Sequence, residues 1–347
     1  MEYQNEEKGN SVMVSMKDIA NACGVSVATV SKALSDRLDI GIETKTLVRQ
    51  KALEMGYLPN TQARALRTNR TYNIGVLFVE GTNSGLTHEY FIGIINSFKY
   101  LAEEKGYDIT FVNRLNNSYL EHSRSRRFDG IMVACIDFHN SEILELAESE
   151  IPLVTIDYIL PNRTGIVSDN AKAMRSLVEY IYSQGHRKIA YIYGEDSAVT
   201  RLRVDSIYKV AKEKELEIPD TYVREAKYRD VSLAGRITEE LLDLPEPPTC
   251  IIYPDDYAAL GGIDAIRNRG LRIPDDISIA GYDGIPILSQ LKPQMTTIKQ
   301  NTKVIGEMAA EKLIELIEYP ERKEIMTVTV KSQLIKGGTV AKIIAES

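Results

Sequence analysis

Hydrophobic positions between residues 15 and 57 recur at helical spacing in three short, separate segments. In the first segment, Ser15 and Asp18 have the Ser-x-x-Asp spacing of a capping box, which predicts a helix that begins at Met16. Gly24 would end this helix, because glycine adopts the left-handed conformation without strain.

The second and third segments follow after short turns. Ser26 is placed to cap a helix from Val27 to Leu34, and Gly41 precedes a third helix that would end at Gly56. Two short helices joined by so short a turn are typical of a helix-turn-helix, in which the second helix enters the major groove of DNA.

A Pro-Asn pair follows these helices. Pro59 blocks a helix from continuing through it, and Asn60 is a good cap for a new, short helix over Thr61–Leu66. A helix of less than two turns is marginal in water, so we expect it to need a partner surface to form.

From residue 73 onward, strand-length apolar runs alternate with amphipathic helical patterns. The expected strands are Asn73–Glu80, Asp108–Asn113, Gly130–Ile136, Leu153–Asp157, Lys188–Tyr193, Tyr222–Ala226, Thr249–Tyr253, Ile277–Tyr282, Ile325–Val330 and Ser332–Ile335. The expected helices are 89–105, 170–184, 198–216, 231–243, 256–268 and 303–318, with only a stunted one in 114–129. This alternation predicts an α/β fold of two doubly wound parallel-sheet units, with a ligand cleft beyond the carboxyl ends of the strands.

Two motifs make the chain similar to a known family. Residues 18–31 read D-I-A-x-x-x-G-V-S-x-x-T-V-S, and residues 56–66 read G-Y-x-P-N-x-x-A-R-x-L. Over roughly Met16 to Gly338 the chain resembles the LacI/GalR family of bacterial transcription regulators. The resemblance implies a helix-turn-helix DNA-binding domain, a hinge helix, and a periplasmic-binding-protein-like body.

The resemblance also implies domain limits. We expect a disordered leader at 1–14, a DNA-binding domain at 15–59, and a hinge with its linker at 60–71. An effector-binding and dimerisation domain would follow at 72–338, and a tail at 339–347. In the family the chain crosses three times between two subdomains. The N-subdomain would hold about 72–168 plus 302–330, and the C-subdomain about 169–298 plus 331–338.

The charge distribution agrees with a DNA-binding head on a body that does not touch DNA. Residues 16–70 carry nine Lys and Arg against five Asp and Glu, and residues 1–15 carry one Lys and three Glu. Because the whole chain has a net charge of −7, residues 71–347 carry −9. The basic excess is modest, and it adds to the motif argument without carrying it.

For DNA, the resemblance places Val27, Ala28 and Lys32 on the recognition helix. The two apolar side chains suit thymine methyls, and a Lys can donate to guanine acceptors. Four hydroxyls suited to phosphates are those of Ser26, Thr29, Ser31 and Thr44. Three hinge residues, Asn60, Arg64 and Leu66, would lie at the minor groove, with Leu66 as the apolar wedge that kinks the duplex.

For the effector, the family's cleft positions carry polar residues at strand ends. The matching residues here are Asp157, Arg203, Asp255 and Asp283, with Tyr228 for stacking and Tyr90 and Phe91 on the other wall. Two departures concern that wall. Ala134 replaces a polar residue of some relatives, and HEYF (88–91) stands where N-P-x-F is common.

The charges of these residues favour a neutral sugar over a sugar phosphate or acid. Three Asp face one Arg unless Arg201 or His88 turns inward, and burying an anion beside the carboxylates would cost Coulomb energy. Binding would close the cleft and release the operator. A purine-like corepressor or a protein partner that promotes DNA binding is the alternative within regulators.

Other function classes are less favoured by the sequence. It has no Gly-rich phosphate loop, Cys/His metal cluster or nucleophile elbow, so we expect no enzyme, catalytic residue, metal or cofactor. A secreted sugar-binding protein conflicts with the helix-turn-helix and the missing signal peptide. Three unpaired Cys and no long apolar run indicate the cytoplasm rather than a membrane. A tail too short for a coiled coil indicates a homodimer on a palindromic operator.

Overall fold

The computed structural model describes residues 14–35, 37–57, 70–78, 85–113, 118–135, 140–322 and 324–343. It divides into two compact units, Met1–Thr71 and Tyr72–Ser347, and each is described by itself. Within the described ranges, no helix is long and apolar enough to cross a membrane.

The first unit contains the three predicted helices, α1 (Met16–Cys23), α2 (Val27–Leu34) and α3 (Ile42–Glu54). The capping box of α1 is present: Asp18 N donates to Ser15 Oγ, and Ser15 N donates to Asp18 Oδ2 at 2.8 Å. The three helices enclose a small core formed by Ile19, Ala20, Val30, Ala33, Val48 and Ala52. Val30 and Ala33 are three residues apart, Val48 and Ala52 are four apart, and Ile19 and Ala20 are adjacent on one face of α1, so each helix turns one apolar face to the core.

The second unit is built on two sheets of six strands each among its described residues. The first sheet has the order β11-β5-β4-β3-β1-β2, and all its neighbouring strands are parallel. Its strands are β1 (Asn73–Phe78), β2 (Asp108–Phe111), β3 (Gly130–Ala134), β4 (Leu153–Ile156), β5 (Thr164–Ser168) and β11 (Thr327–Val330).

The second sheet has the order β12-β10-β9-β8-β6-β7. Its strands are β6 (Ile189–Tyr193), β7 (Val223–Glu225), β8 (Cys250–Ile252), β9 (Ser278–Asp283), β10 (Thr296–Lys299) and β12 (Gln333–Ile335). Only the β10–β12 pairing is antiparallel among those of the described strands.

Eight helices of this part of the described chain pack on the faces of the two sheets. They are α4 (Glu89–Glu104), α5 (Tyr119–Arg126), α6 (Ser141–Glu148), α7 (Asn170–Ser183), α8 (Ala198–Glu213), α9 (Val231–Leu242), α10 (Asp256–Asn268) and α11 (Thr302–Glu318). α11 lies directly against α4: a Cβ added at Gly306 would come within 2.3 Å of the Ile94 carbonyl oxygen. The two helices therefore approach closely only because residue 306 is glycine.

The chain passes from one sheet to the other three times, between β5 and α7, between β10 and α11, and between β11 and β12. The first sheet with its helices is called the first subdomain below, and the second sheet with its helices the second subdomain. Within each sheet the parallel strands have their carboxyl ends at one edge, and the chain crosses between the sheets near these edges. Asp157, Ser168 and Asp283 lie at such strand ends.

The structure differs from the sequence expectations in a few elements. β5 was not predicted, and β2 is two residues shorter than expected, while α8 ends three residues early. Thr339 and Ala341 bond to Ile279 and Ser278 of the second sheet, so residues 339–343 continue this subdomain instead of leaving it as a tail.

Candidate functional site

Helix α2 carries the side chains expected at base edges. Val27 and Ala28 lie in its first turn and Lys32 in its last, and all three are exposed. Ser26 caps the helix, since its Oγ accepts from Thr29 N at 3.0 Å and lies 2.8 Å from Thr29 Oγ1. The hydroxyls of Ser26 and Thr29 therefore bond to each other, and each can still make a further hydrogen bond, for example to a phosphate.

Lys32 is held by a carboxylate in its own unit. Its Nζ lies 2.5 Å from Asp39 Oδ2, and this hydrogen bond lowers the pKa of Asp39. Both side chains are about half exposed, so water screens the pair and a base or phosphate can compete for the ammonium. Thr44 and Ser31 are half-buried.

The hinge residues expected at the minor groove, Asn60, Arg64 and Leu66, lie outside the described residues.

In the cleft of the second unit, Tyr90 and Asp157 lie on the first subdomain. Asp157 directly follows β4 and adopts a left-handed φ of 60°. Tyr90 is buried, and its hydroxyl donates to Asp157 Oδ2 at 2.7 Å. Burial raises the pKa of Asp157 to about 6, although the Tyr90 hydrogen bond and the charge of Arg203 act in the opposite direction.

Arg203 is 3% exposed and is fixed on three sides. Its Nε donates to Asn170 Oδ1 at 2.9 Å, and one Nη donates to the Pro254 carbonyl at 3.1 Å. The guanidinium carbon lies 3.5 Å from the ring centroid of Tyr282. The protein itself therefore positions this planar side chain, and three of its five N–H groups have no acceptor among the described residues.

Asp283 ends β9 with a φ of 102° and turns toward the crossing that follows β10. Its Oδ1 accepts from Gln300 Nε2 at 2.7 Å, and its carbonyl accepts from Gln300 N at 3.1 Å. Burial raises the pKa of Asp283, while Arg203 lowers it. The second carboxylate oxygen has no hydrogen-bond donor in the part of the chain that the structure describes.

Asp255 and Tyr228 are largely occupied by the protein itself. Asp255 caps α10, accepting from Ala258 N at 2.8 Å and from Arg229 N at 2.7 Å, and burial raises its pKa to about 6. Both of its oxygens therefore already have backbone donors. The Tyr228 hydroxyl bonds to Thr200 at 2.8 Å.

Comparisons with known proteins give the identity of these two units. Residues 15–60 match the family model described as bacterial regulatory proteins, lacI family, and residues 178–340 match a periplasmic binding protein-like domain. A probable HTH-type transcriptional repressor ExuR of Bacillus subtilis is 32% identical over 316 residues, which cover 90% of this chain and 94% of that protein. The chain belongs to the LacI family.

Other LacI-family proteins support this assignment. A repressor named PurR from Pasteurella multocida is 32% identical, over 90% of this chain and 95% of its own. The structure of the lac repressor dimer bound to operator and the anti-inducer ONPF matches with a TM-score of 0.76 and 25% identity, covering 95% of this chain and all of that one. The expected family, fold class and DNA-binding repressor function are confirmed, and an enzyme is not supported.

Sequence reasoning missed two charged side chains of this LacI-family cleft, Glu89 and Arg229. Glu89 Oε2 and an Arg229 Nη lie 3.9 Å apart, and the Arg229 guanidinium lies 3.9 Å from the Tyr257 ring centroid. Each residue is adjacent in sequence to a predicted site residue, Tyr90 or Tyr228. That adjacency was the only signal, because nothing in the sequence shows that the two meet.

Arg201 and His88, the two side chains that could offset the cleft carboxylates, have other partners. Arg201 is exposed and pairs with Asp196 at 2.9 Å. His88 precedes α4 and packs edge-on against Phe91 with ring centroids 4.8 Å apart. Phe91 is half-buried, and its ring contacts the rings of Phe78 and Tyr90.

Proposed function

We propose that this LacI-family repressor binds its operator as a homodimer and is released by a small neutral polyhydroxylated ligand, a sugar or glycoside, bound between the subdomains. The observation that carries the ligand class is the set of acceptors in the cleft. Asp157 Oδ1 is buried with no hydrogen-bond partner among the described residues, and one oxygen of Asp283 is also free. Ligand hydroxyls donate to such oxygens, whereas a phosphate has little to donate.

The fixed guanidinium of Arg203 supports the same proposal. Asn170 and the Pro254 carbonyl accept from two of its five N–H groups, so the remaining N–H groups can donate to ligand oxygens. A sugar hydroxyl can accept such a bond while it donates to a cleft carboxylate, whereas a carboxylate group of a ligand can only accept.

For DNA, we assign base contacts to Val27, Ala28 and Lys32 and phosphate contacts to Ser26, Thr29, Ser31 and Thr44. Asn60, Arg64 and Leu66 are assigned to the minor groove by their match to the family motif. Dimerisation is supported by the lac repressor dimer on its operator and by exposed apolar side chains, Tyr100 on α4 and Phe111 on the edge strand β2. A regulator that binds chromosomal DNA in this way acts in the cytoplasm.

The proposal is tested by a thermal-shift screen of neutral sugars, sugar phosphates and nucleobases on the full chain. Each hit is then added to an operator titration. A neutral sugar should raise the melting temperature and weaken DNA binding, and Asp283→Ala should abolish both effects. A hit that binds only when phosphorylated, or a nucleobase that strengthens DNA binding, would contradict the proposed effector and favour a corepressor.

A further inference from the structure

Glu89 and Arg229 face each other across the cleft from different subdomains. Glu89 is the first residue of α4, which packs on the first sheet, and Arg229 lies in the loop between β7 and α9 of the second. Their nearest charged atoms, Oε2 and an Nη, are 3.9 Å apart. This separation allows Coulomb attraction, but it is too long for a hydrogen bond.

Arg229 is held in place by its own subdomain. Its backbone N donates to Asp255 Oδ2 at 2.7 Å, its φ is 61°, and its guanidinium stacks on Tyr257. The side chain is only 12% exposed. The cation is therefore directed at the cleft by two local contacts and by the backbone conformation, none of which involves Glu89.

Glu89 is incompletely satisfied in this arrangement. Its Oε2 is buried and has no hydrogen-bond partner within the described ranges of the chain. A buried carboxylate oxygen that lacks a donor is costly, so the site favours a molecule that can supply one.

We propose that one hydroxyl of the effector bridges Glu89 and Arg229, and that this pair selects neutral polyols over the corresponding acids. Because the two atoms are 3.9 Å apart, one oxygen can lie about 2.8 Å from both. A hydroxyl at that point donates to Glu89 and accepts from Arg229.

A ligand carboxylate at the same point lacks a proton to donate and is repelled by Glu89, with Asp157 and Asp283 in the same cleft. This inference rests on the proposed function, and it assigns the selection to a pair that joins the two subdomains. A ligand hydroxyl that bridges them would also favour the closed cleft.

The inference is tested by calorimetric titration of the full-length protein with two matched pairs, glucose with glucuronate and galactose with galacturonate. Within a pair the compounds differ only at the terminal carbon. The variants are Glu89→Ala, Glu89→Gln and Arg229→Ala. Arg224→Ala is the control, since Arg224 pairs with Glu240 at the surface of the same subdomain.

At least one neutral sugar should bind the parent more tightly than its acid does. Glu89→Ala and Arg229→Ala should each weaken that binding by about tenfold or more, because a hydrogen bond to a charged group is lost. Glu89→Gln retains an acceptor, so neutral-sugar affinity should stay within about threefold while affinity for the acid rises. Arg224→Ala should change neither affinity.

Tighter binding of an acid than of its neutral sugar by the parent would overturn the inference. So would neutral-sugar binding that Glu89→Ala and Arg229→Ala leave unchanged; the proposed function would survive that result. A parent that binds none of the four compounds overturns both the pair and the proposed sugar class, while operator binding remains a separate measurement. Unfolding curves show whether each variant is folded. If an alanine variant does not fold, Glu89→Gln provides the comparison, because it preserves the shape of the side chain.

Discussion

The Tyr90 hydroxyl donates to Asp157 Oδ2 at 2.7 Å and leaves Oδ1 of the same carboxylate buried without a partner among the described residues. The protein thus orients one oxygen, and we propose that the other accepts from a ligand hydroxyl. The bond also fixes the orientation of a carboxylate whose backbone already has the unusual left-handed φ. Asp157 therefore has one unsatisfied oxygen, which a ligand hydroxyl would satisfy.

The first prediction concerns stability and pH. The pKa of Asp157 is about 6 in the folded protein against 3.8 for a free carboxyl. At pH values between these two, the folded state therefore holds a proton that unfolding releases. Stability from this group is complete below about pH 4 and is lost as pH rises through 6. Asp157→Asn should therefore reduce the loss of unfolding free energy between pH 5 and pH 7 by roughly 1 kcal/mol.

Urea denaturation of both proteins at the two pH values measures this difference. Asp255, with a pKa also near 6, should preserve part of the parental slope in the variant. Asp196→Asn is the control, because that carboxylate is 75% exposed. Equal slopes for parent and Asp157→Asn would contradict the burial argument.

The second prediction concerns Arg203. Arg203→Lys removes the planar donors that satisfy Asn170 and the Pro254 carbonyl, and the ammonium cannot reproduce both bonds. The unfolding free energy should fall by about 1–3 kcal/mol, and effector binding should be lost. Arg201→Lys changes an exposed pair and should shift stability by less than about 0.5 kcal/mol. Similar losses in both variants would show that the fixed geometry of Arg203 is unimportant.

The third prediction concerns DNA. Asp39→Asn removes the carboxylate that holds Lys32, and it takes one negative charge away from the DNA-binding unit. Affinity for duplex DNA should rise by roughly two- to fivefold at about 50 mM salt and by less at about 300 mM. Fluorescence anisotropy measures this, with Asp196→Asn as a variant of the same charge change in the other unit. Weaker DNA binding by Asp39→Asn would indicate that Asp39 positions Lys32 for readout.

The fourth prediction concerns the packing of α4 against α11. In Gly306→Ala the new methyl would lie within 2.3 Å of the Ile94 carbonyl oxygen, so the helices must separate. We expect a loss of about 1–3 kcal/mol in urea denaturation. Glu307→Ala, at the next position of the same helix, is the control and should have little effect. An unchanged midpoint for Gly306→Ala would mean that the two helices separate at little cost.

Local signals explain why some elements were predicted well. The bounds of α1 and α2 follow from Ser15, Ser26 and Gly24, whose capping contacts reach only three or four residues along the chain. In contrast, β5 begins Thr164-Gly165 and has no apolar run. It becomes a strand because β4 and β11 pair with its two edges, and β11 is more than 150 residues away in sequence.

The cleft was predicted in part for the same reason. The strand-end residues Asp157 and Asp283 could be located because parallel strands end at one edge. Asp255 accepts from the backbone N–H groups of Ala258 and Arg229, and the approach of Arg229 could not be predicted from the sequence. The meeting of Glu89 with Arg229 depends on how the two subdomains face each other.

The central claim, release of the operator by a cleft ligand, is tested most directly by one titration. A duplex selected from a randomised pool by the full-length protein is titrated with parent and Arg203→Ala, with and without a saturating neutral sugar from the screen. The sugar should raise the dissociation constant of the parent for this duplex about tenfold or more and leave that of Arg203→Ala unchanged. A sugar that binds the cleft but leaves parental DNA affinity unchanged, or strengthens it, would contradict the account.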